Sequence, residues 1–275
     1  MKRSTGAWGF PFALLLACCA LEGPGFAQNG TPAGAGPAAP TATPSTGTAN
    51  PTLSLGMAEL QANRARQALI DFQEVLKMDP GDTAANLLAS TAAVELFQGQ
   101  LAVQYAEKAR QLDPRNWKIH TTLVAAYSAA GMKQQRDQER ALLHELHKTG
   151  APDARVATGF LVEMFPLGSY RVDAIEYFEP MGKFHTYYRF LVRREDGHRV
   201  WEVDVQSDDF DQKSWAEAHA TEAAAGERQF QLTGHGDDNQ EVDYRMFSGK
   251  PGYDDIRVMV VEALRSHPIV GGQGG

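Results

Sequence analysis

Two stretches, ARQALIDFQEVLKMDP at residues 65–80 and GQLAVQYAEKARQLDP at residues 99–114, carry the clearest structural pattern in this 275-residue chain. Each is amphipathic at helical spacing and ends in an Asp-Pro pair, so that Pro80 and Pro114 lie 34 residues apart. Proline stops a helix and sets the following turn, and a fixed period of this length indicates a repeated helical unit. The sequence therefore predicts helical pairs stacked side by side.

The residues around these prolines are similar to the tetratricopeptide-repeat (TPR) family in type and in spacing. Gly56, Ala68, Phe72 and Pro80 fall where the family pattern has Gly, Ala, Phe and Pro. The second repeat supplies Ser90, Ala102, Ala106, Ala109 and Pro114, and the third supplies His120, Leu123, Tyr127 and Gly131. Small residues are needed where the two helices of a repeat cross, because a larger side chain pushes their axes apart. The resemblance implies a short α-solenoid of about three helical hairpins over residues 52–150.

The third repeat departs from the pattern in its second helix. Arg136, Leu143 and Lys148 replace the two small residues and the proline, and residues 134–147 are rich in polar side chains. Three apolar residues remain for burial: Ala141, Leu142 and Leu146. A terminal repeat needs a polar outer face, so this helix is predicted to be a solvent-facing cap, with the solenoid ending at Gly150.

In the TPR family, the first helix of each repeat lines a concave wall that binds peptides. The resemblance implies nine partner-binding residues here: Leu53, Met57, Leu60, Leu87, Thr91, Val94, Glu95, Lys118 and Thr121. The wall is apolar at one end and polar at the other, which suits an amphipathic helix or an extended apolar segment. Leu53 and Met57 replace the Lys and Asn with which some members grip a C-terminal carboxylate, so that role is not expected. An alternative is that the wall packs against the second half of the chain.

The N-terminus has the three parts of a secretory signal. Lys2 and Arg3 precede an apolar run at residues 10–21, and small residues lead to a cleavage site after Ala27. The run is too short for a permanent membrane helix, which needs about 20 apolar residues. Residues 1–27 are therefore predicted to be a signal peptide, and the protein is expected to be exported to the periplasm or the exterior.

Both cysteines, Cys18 and Cys19, lie inside this apolar run. A mature chain cut after Ala27 has no disulfide and no thiolate chemistry. Leu15-Leu16-Ala17-Cys18 also loosely resembles a lipoprotein cleavage box, which leaves a lipid tether at Cys18 as an alternative. Residues 28–51 are Gly, Ala, Pro, Thr, Ser and Asn for the most part, a composition that predicts a disordered linker under either reading.

The distribution of charge argues against a nucleic-acid partner. The net charge is −8, and residues 51–150 carry 11 acidic and 11 basic side chains against 22 and 13 in residues 151–275. An acidic surface repels phosphate backbones and anionic headgroups. The sequence predicts no binding to nucleic acid and no transmembrane segment.

From residue 151 the periodicity changes from helical to alternating. Strands are predicted at residues 170–178, 228–233 and 241–247, and a hairpin turns at Asp196-Gly197. The turn predicts cross-strand pairs of Val192 with Trp201, Phe190 with Val203, and Tyr188 with Val205. Helices are predicted from Ser214 to Ala225 and from Asp254 to His267. The second half should thus be an α+β domain, an antiparallel sheet of about five strands with covering helices.

The remaining constellations have stronger structural than chemical explanations. His235-Gly236-Asp237-Asp238 and the Asp208 to Asp211 run are typical of solvated turns, and Ser248-Gly249-Lys250 lacks the earlier glycine of a phosphate loop. His185, Arg189 and Asp204 share a predicted strand face and form a candidate polar cluster, which an exposed sheet face explains equally well. Tyr177, Tyr187, Tyr188 and Trp201 are expected in the core. No catalytic residue, metal site or cofactor is predicted.

Two hypotheses follow for the function. The first is an extracytoplasmic scaffold or adaptor that binds a protein or peptide through the TPR wall. The second is a hydrolase or carbohydrate-binding protein whose site lies in the sheet of residues 151–275.

Overall fold

A computed structural model describes residues 50–182, 185–207, 229–236, 241–248 and 252–266. Within these residues a series of helices leads into a six-stranded antiparallel sheet, and one further helix follows the sheet. Helices therefore precede and cover an antiparallel sheet, an α plus β arrangement. Among the helices of the described residues, none has both the length and the apolar character needed to cross a membrane.

The first six helices form three consecutive pairs. They are α1 (Pro51–Gln61) with α2 (Ala65–Met78), α3 (Thr83–Glu95) with α4 (Gly99–Leu112), and α5 (Trp117–Ala129) with α6 (Lys133–Thr149). The second helix of each pair begins at residue 65, 99 or 133, and the first helix ends at residue 61, 95 or 129. Both boundaries recur every 34 residues, the period that the sequence predicts.

The same local chemistry sets these boundaries in each pair. Asp82 and Asn116 cap α3 and α5 by accepting a hydrogen bond from a backbone N–H of the first turn. Between the helices of each pair stands a residue with positive φ, namely Asn63 (56°), Phe97 (56°) or Gly131 (72°). This left-handed residue reverses the chain, and its recurrence makes the three turns equivalent.

The predicted small residues lie where the helices approach most closely. Ala68, Ser90, Ala102, Ala106 and Ala109 are all 0% exposed. At Gly99, a Cβ atom would lie 2.3 Å from the backbone of Ala129 in α5. The close spacing of the helix axes therefore depends on these positions.

The prediction that α6 is a solvent-facing cap is wrong for one of its faces. Arg136 and Leu143 are 4% and 1% exposed, whereas Ala141 and Leu142, predicted to be buried, are exposed. The polar residues of that face form ion pairs with the second half of the chain, as the Arg140 bond to Glu176 at 2.7 Å shows. The helix is polar because it faces a partly charged partner surface within the same chain.

The sheet has six strands rather than about five, in the order β1-β2-β3-β4-β5-β6. They are β1 (Gly159–Leu167), β2 (Tyr170–Met181), β3 (Thr186–Arg193), β4 (Arg199–Ser207), β5 (Gln229–Gly236) and β6 (Glu241–Ser248). The sequence prediction missed β1, in which Phe160, Leu161 and Val162 are consecutive buried residues. A strand buried on both faces has no hydrophobic alternation to reveal it.

The predicted hairpin register is confirmed. Val192 pairs with Trp201, Phe190 with Val203, Tyr188 with Val205, and Arg189 with Asp204. The turn is longer than the two residues predicted, because the Arg194 N–H donates to the His198 carbonyl and Gly197 has a φ of 82°. This is a three-residue loop, and a register shift between Val192 and Arg193 restores the predicted pairing from Val192 onward.

Two more helices complete the described structure, α7 (Pro152–Arg155) and α8 (Tyr253–Ser266). The predicted final helix matches α8, whose buried stripe includes Ile256 and Val260. The helix predicted from Ser214 to Ala225 lies outside the described residues. Because α6 and α8 cover the same face of the sheet, the side chains of Phe190 and Trp201 are withdrawn from solvent there.

One hydrophobic cluster joins the helical pairs to the sheet. Trp117 and Val124 of α5 and Leu143 of α6 belong to the same cluster as the apolar face of the sheet and α8. A second cluster joins Leu161 and Met164 of β1 to residues of α3, α4 and α5. The helical and sheet parts therefore share their core.

Candidate functional site

The nine predicted wall residues all lie on α1, α3 and α5, the first helices of the three pairs. Seven of them are partly exposed: Leu53, Met57, Leu87, Thr91, Glu95, Lys118 and Thr121. The other two, Leu60 and Val94, are each 1% exposed. These two are core residues that fix the wall in place, so a surface ligand could contact only the first seven.

The sheet covers the part of this wall that α5 contributes. Leu161 and Met164 of β1 lie in one hydrophobic cluster with Leu123 and Ala125 of α5 and Val94 of α3. On α5, therefore, the wall packs against the chain's own second half, which is the alternative given above. The rest of the wall consists of the partly exposed apolar residues of α1 and of the start of α3.

The turn between β3 and β4 makes a further contact between the sheet and the helical pairs. The Asn63 side chain donates to the Asp196 carbonyl at 3.4 Å, and a Cβ atom on Gly197 would lie 2.5 Å from Asn63. This contact joins the turn between α1 and α2 to the sheet. Leu53, Met57, Leu87 and Thr91 remain as the partly exposed wall of the first two pairs, and we name them the inner wall.

Glu95 ends α3 beside the sheet. Burial raises the pKa of Glu95 to about 7; nearby Arg171 opposes this rise and Asp173 adds to it. Its carboxyl group makes no hydrogen bond or ion pair with any other residue of the described part. A carboxyl group whose pKa is raised in this way, close to charged residues of the sheet, is a candidate functional group.

The opposite face of the sheet carries paired charges. Arg189 donates to both carboxylate oxygens of Asp204 at 2.7 Å, and Arg199 donates to Glu202 at 2.6 Å. Burial alone would lower the pKa of Arg189, but the hydrogen bonds to Asp204 and the charges of Asp204 and Glu202 raise it. Asp173 accepts a hydrogen bond from Arg193 at 2.8 Å in the same way. The face is thus an array of neutralised pairs.

Only two members of the predicted polar cluster come together. Arg189 and Asp204 pair as expected, but His185 precedes β3, has a φ of 46° and does not share their strand face. Thr186 lines the polar face beside this pair, because the register shifts between Thr186 and Tyr188. A bulge of this kind leaves no mark in the alternation of the sequence.

Sequence reasoning also missed Gln206 and His235 as neighbours of this pair. The register of β4 could have found Gln206, which lies two residues after Asp204 and so on the same face. His235 enters through β5, where it pairs with Glu202. Of the four aromatic residues expected in the core, Trp201 is 1% exposed, whereas Tyr177, Tyr187 and Tyr188 are only partly buried.

The structure offers no grouping of three or more His, Cys, Asp or Glu side chains that could hold a metal ion, as far as the described residues go. The run from Asp208 to Asp211, and Asp237 with Asp238, lie outside those residues. Comparison with known proteins adds no relative: no protein-family model matches the chain, and no curated protein matches it.

Proposed function

We propose that the protein is an exported scaffold whose helical pairs are a short TPR solenoid, and that it binds a peptide segment of another protein on its inner wall. The observation that carries this proposal is the 34-residue recurrence of helix boundaries and of the left-handed turn residues Asn63, Phe97 and Gly131. Recurrence of this kind aligns the first helices of successive pairs into one continuous surface.

The inner wall suits an apolar guest. Leu53, Met57 and Leu87 pack at the margins of buried clusters and keep part of their surface exposed. An extended or helical segment with apolar side chains could bury this surface, and Met57 can adapt its shape to the guest. Thr91 and Glu95 follow Leu87 at helical spacing and give the wall a polar end.

Export rests on the predicted signal at residues 1–27. Cleavage after Ala27 gives a mature chain that begins at Gln28, whereas lipoprotein processing gives one that begins at a lipidated Cys18. The mass of the mature N-terminal peptide distinguishes the two products.

Peptide binding is tested with the full mature chain and a displayed library of random 12-residue peptides. Selected peptides are synthesised with a fluorophore, and their dissociation constants are measured by fluorescence anisotropy. We expect Met57→Glu and Leu87→Glu each to weaken binding by about tenfold or more, because each substitution places a charge in an apolar contact.

Matched substitutions on the second helices serve as controls. Met78 and Leu112 are 70% and 38% exposed on α2 and α4. Met78→Glu and Leu112→Glu should leave the affinity unchanged. Equal losses for the wall and control variants, or no loss for the wall variants, would contradict the proposed site. Point variants are preferable to deletion of residues 51–150, because deletion would expose the core that α5 shares with the sheet.

A further inference from the structure

A cavity of about 310 Å³ opens on the face of the sheet opposite α6 and α8. We name it the polar basin. Its polar lining consists of Thr186, Arg189, Glu202, Asp204, Gln206 and His235. Small-molecule sites in proteins occupy roughly 300–1,000 Å³, so the polar basin has room for one small ligand. It lies on strands β3, β4 and β5, apart from the inner wall.

Several polar groups of the polar basin make no hydrogen bond to any residue that the structure describes. Thr186 and Gln206 are only 4% and 5% exposed, yet neither side chain makes a hydrogen bond within the described part of the chain. Arg189 donates to Asp204 from Nε and Nη2, and its Nη1 atom makes no hydrogen bond to Asp204. The His235 ring likewise makes no hydrogen bond there. Donors and acceptors that no neighbouring group of the described chain engages are available to a ligand in this cavity.

The ionic groups of the polar basin neutralise one another. The charge of Arg189 is matched by Asp204, and that of Glu202 by Arg199, which lies next to the polar basin and not in its lining. Neither an anion nor a cation therefore gains a strong net attraction from these two neutralised pairs. A neutral ligand that both donates and accepts hydrogen bonds meets no such opposition.

We propose that the polar basin binds a neutral sugar in its pyranose form. Each sugar hydroxyl donates one hydrogen bond and accepts others. The hydroxyls can therefore donate to the carboxylates of Glu202 and Asp204 and accept from Arg189 and the Gln206 amide. Thr186 can act in either sense. This site is independent of peptide binding to the inner wall, so each proposal can fail without the other.

The test uses three ligands that share one ring and differ in charge: methyl glucoside, glucuronate and glucosamine. Saturation-transfer NMR and ¹H–¹³C titration of the mature chain give the affinity of each. We expect the neutral methyl glucoside to bind most tightly and to shift the Thr186 methyl and His235 ring signals. Thr186→Val should weaken that binding by about three- to tenfold, the usual effect of losing one hydrogen bond to a neutral group.

Thr149→Val provides the matched control, because Thr149 ends α6 far along the chain from the basin and its hydroxyl bonds only to the Glu145 carbonyl. Gln206→Met offers a second variant of similar shape, should Thr186→Val disturb the fold. Preference for glucuronate or glucosamine, absence of binding by all three ligands, or shifts that avoid Thr186 and His235 would each overturn the proposal. Since the signal mapping uses the unaltered chain, the result does not depend on either variant folding.

Discussion

At the scale of single residues, most of the buried charges in this protein have a partner. Asp204 is paired with Arg189, and Glu176 accepts hydrogen bonds from Arg140 and His144. The His144 and Arg140 bonds lower the pKa of Glu176 against the opposing effect of its burial. Glu95 differs, because its environment raises the pKa. This contrast separates carboxylates that hold the structure together from one that costs stability.

Glu95 should therefore make stability depend on pH in an unusual direction. Below its ordinary pKa of 4.5 the carboxyl group is protonated in both the folded and the unfolded chain. Between pH 4.5 and about 7 the unfolded chain releases the proton while the folded chain retains it. The contribution of Glu95 to the free energy of unfolding thus falls as pH rises through this window and is constant above it.

Glu95→Gln keeps the neutral form at every pH. We expect the variant to have an unfolding free energy about 1–2 kcal/mol above that of the unaltered chain at pH 8, and nearly equal to it at pH 4. Urea denaturation at the two pH values measures the difference. Glu145→Gln, at an exposed position of α6, should show no such dependence. A variant that is equally or less stable at pH 8 would show that Glu95 is ionised without cost in the folded chain.

The residues of the polar face differ in how well the sequence predicts their positions. The Arg189–Asp204 pair was predictable because a single turn at Gly197 fixes the facing residues along two strands. Thr186 was not, because the bulge at Tyr187 depends on packing around the strand and not on its own residue types. The position of His235 could not be predicted either. This residue lies on β5, and a long connection separates β5 from its partner β4 in the sequence.

At the scale of elements, the helical pairs were the most predictable part of the chain. Their boundaries follow from local signals, such as the caps at Asp82 and Asn116 and the Asp-Pro stops that end α2 and α4. The strand β1 and the buried face of α6 were misread because each adjoins a surface far away in sequence. Local composition reports such contacts poorly, since either charge pairing or apolar packing can cover a surface.

Gly99 provides the test at this scale. It begins α4, and a Cβ atom there would lie 2.3 Å from the backbone of Ala129. We expect Gly99→Ala to lower the free energy of unfolding by about 1–3 kcal/mol, because neither backbone can move aside without separating α4 from α5. Chemical denaturation gives the value.

Gly81→Ala is the comparison for Gly99→Ala. The nearest atom to an added Cβ at Gly81 is the tip of the Asp79 side chain at 3.2 Å, and this side chain can rotate. The control should change stability by less than about 0.5 kcal/mol. If both glycines tolerate alanine equally, the helices are less closely packed than the structure indicates.

At the scale of the whole molecule, the helical and sheet parts are connected by charge as well as by apolar packing. Arg136 donates to Asp254 of α8 at 2.9 Å, and this hydrogen bond is the main reason that the pKa of Asp254 falls to about 2. His147 of α6 stacks on Phe178 of β2 with ring centroids 4.3 Å apart. The helical pairs that carry the inner wall are therefore held in place by the sheet. Such bracing suits an array of only three helical pairs, because a stacked helical array of about this length is near the minimum that is stable alone.

A shared core implies that the two parts unfold together. Leu143 of α6 is 1% exposed in the cluster that contains Phe190 and Trp201, whereas its neighbour Leu142 is 39% exposed. We expect Leu143→Ala to lower the free energy of unfolding by about 2–5 kcal/mol and Leu142→Ala to change it by less than about 0.5 kcal/mol. Hydrogen exchange monitored by mass spectrometry should then show the same loss of protection in β3 and β4 as in α6, because the cavity weakens a core common to all three. Loss of protection confined to the helical pairs would show that the sheet is an independent folding unit, and the inner wall would then have to be stable without it.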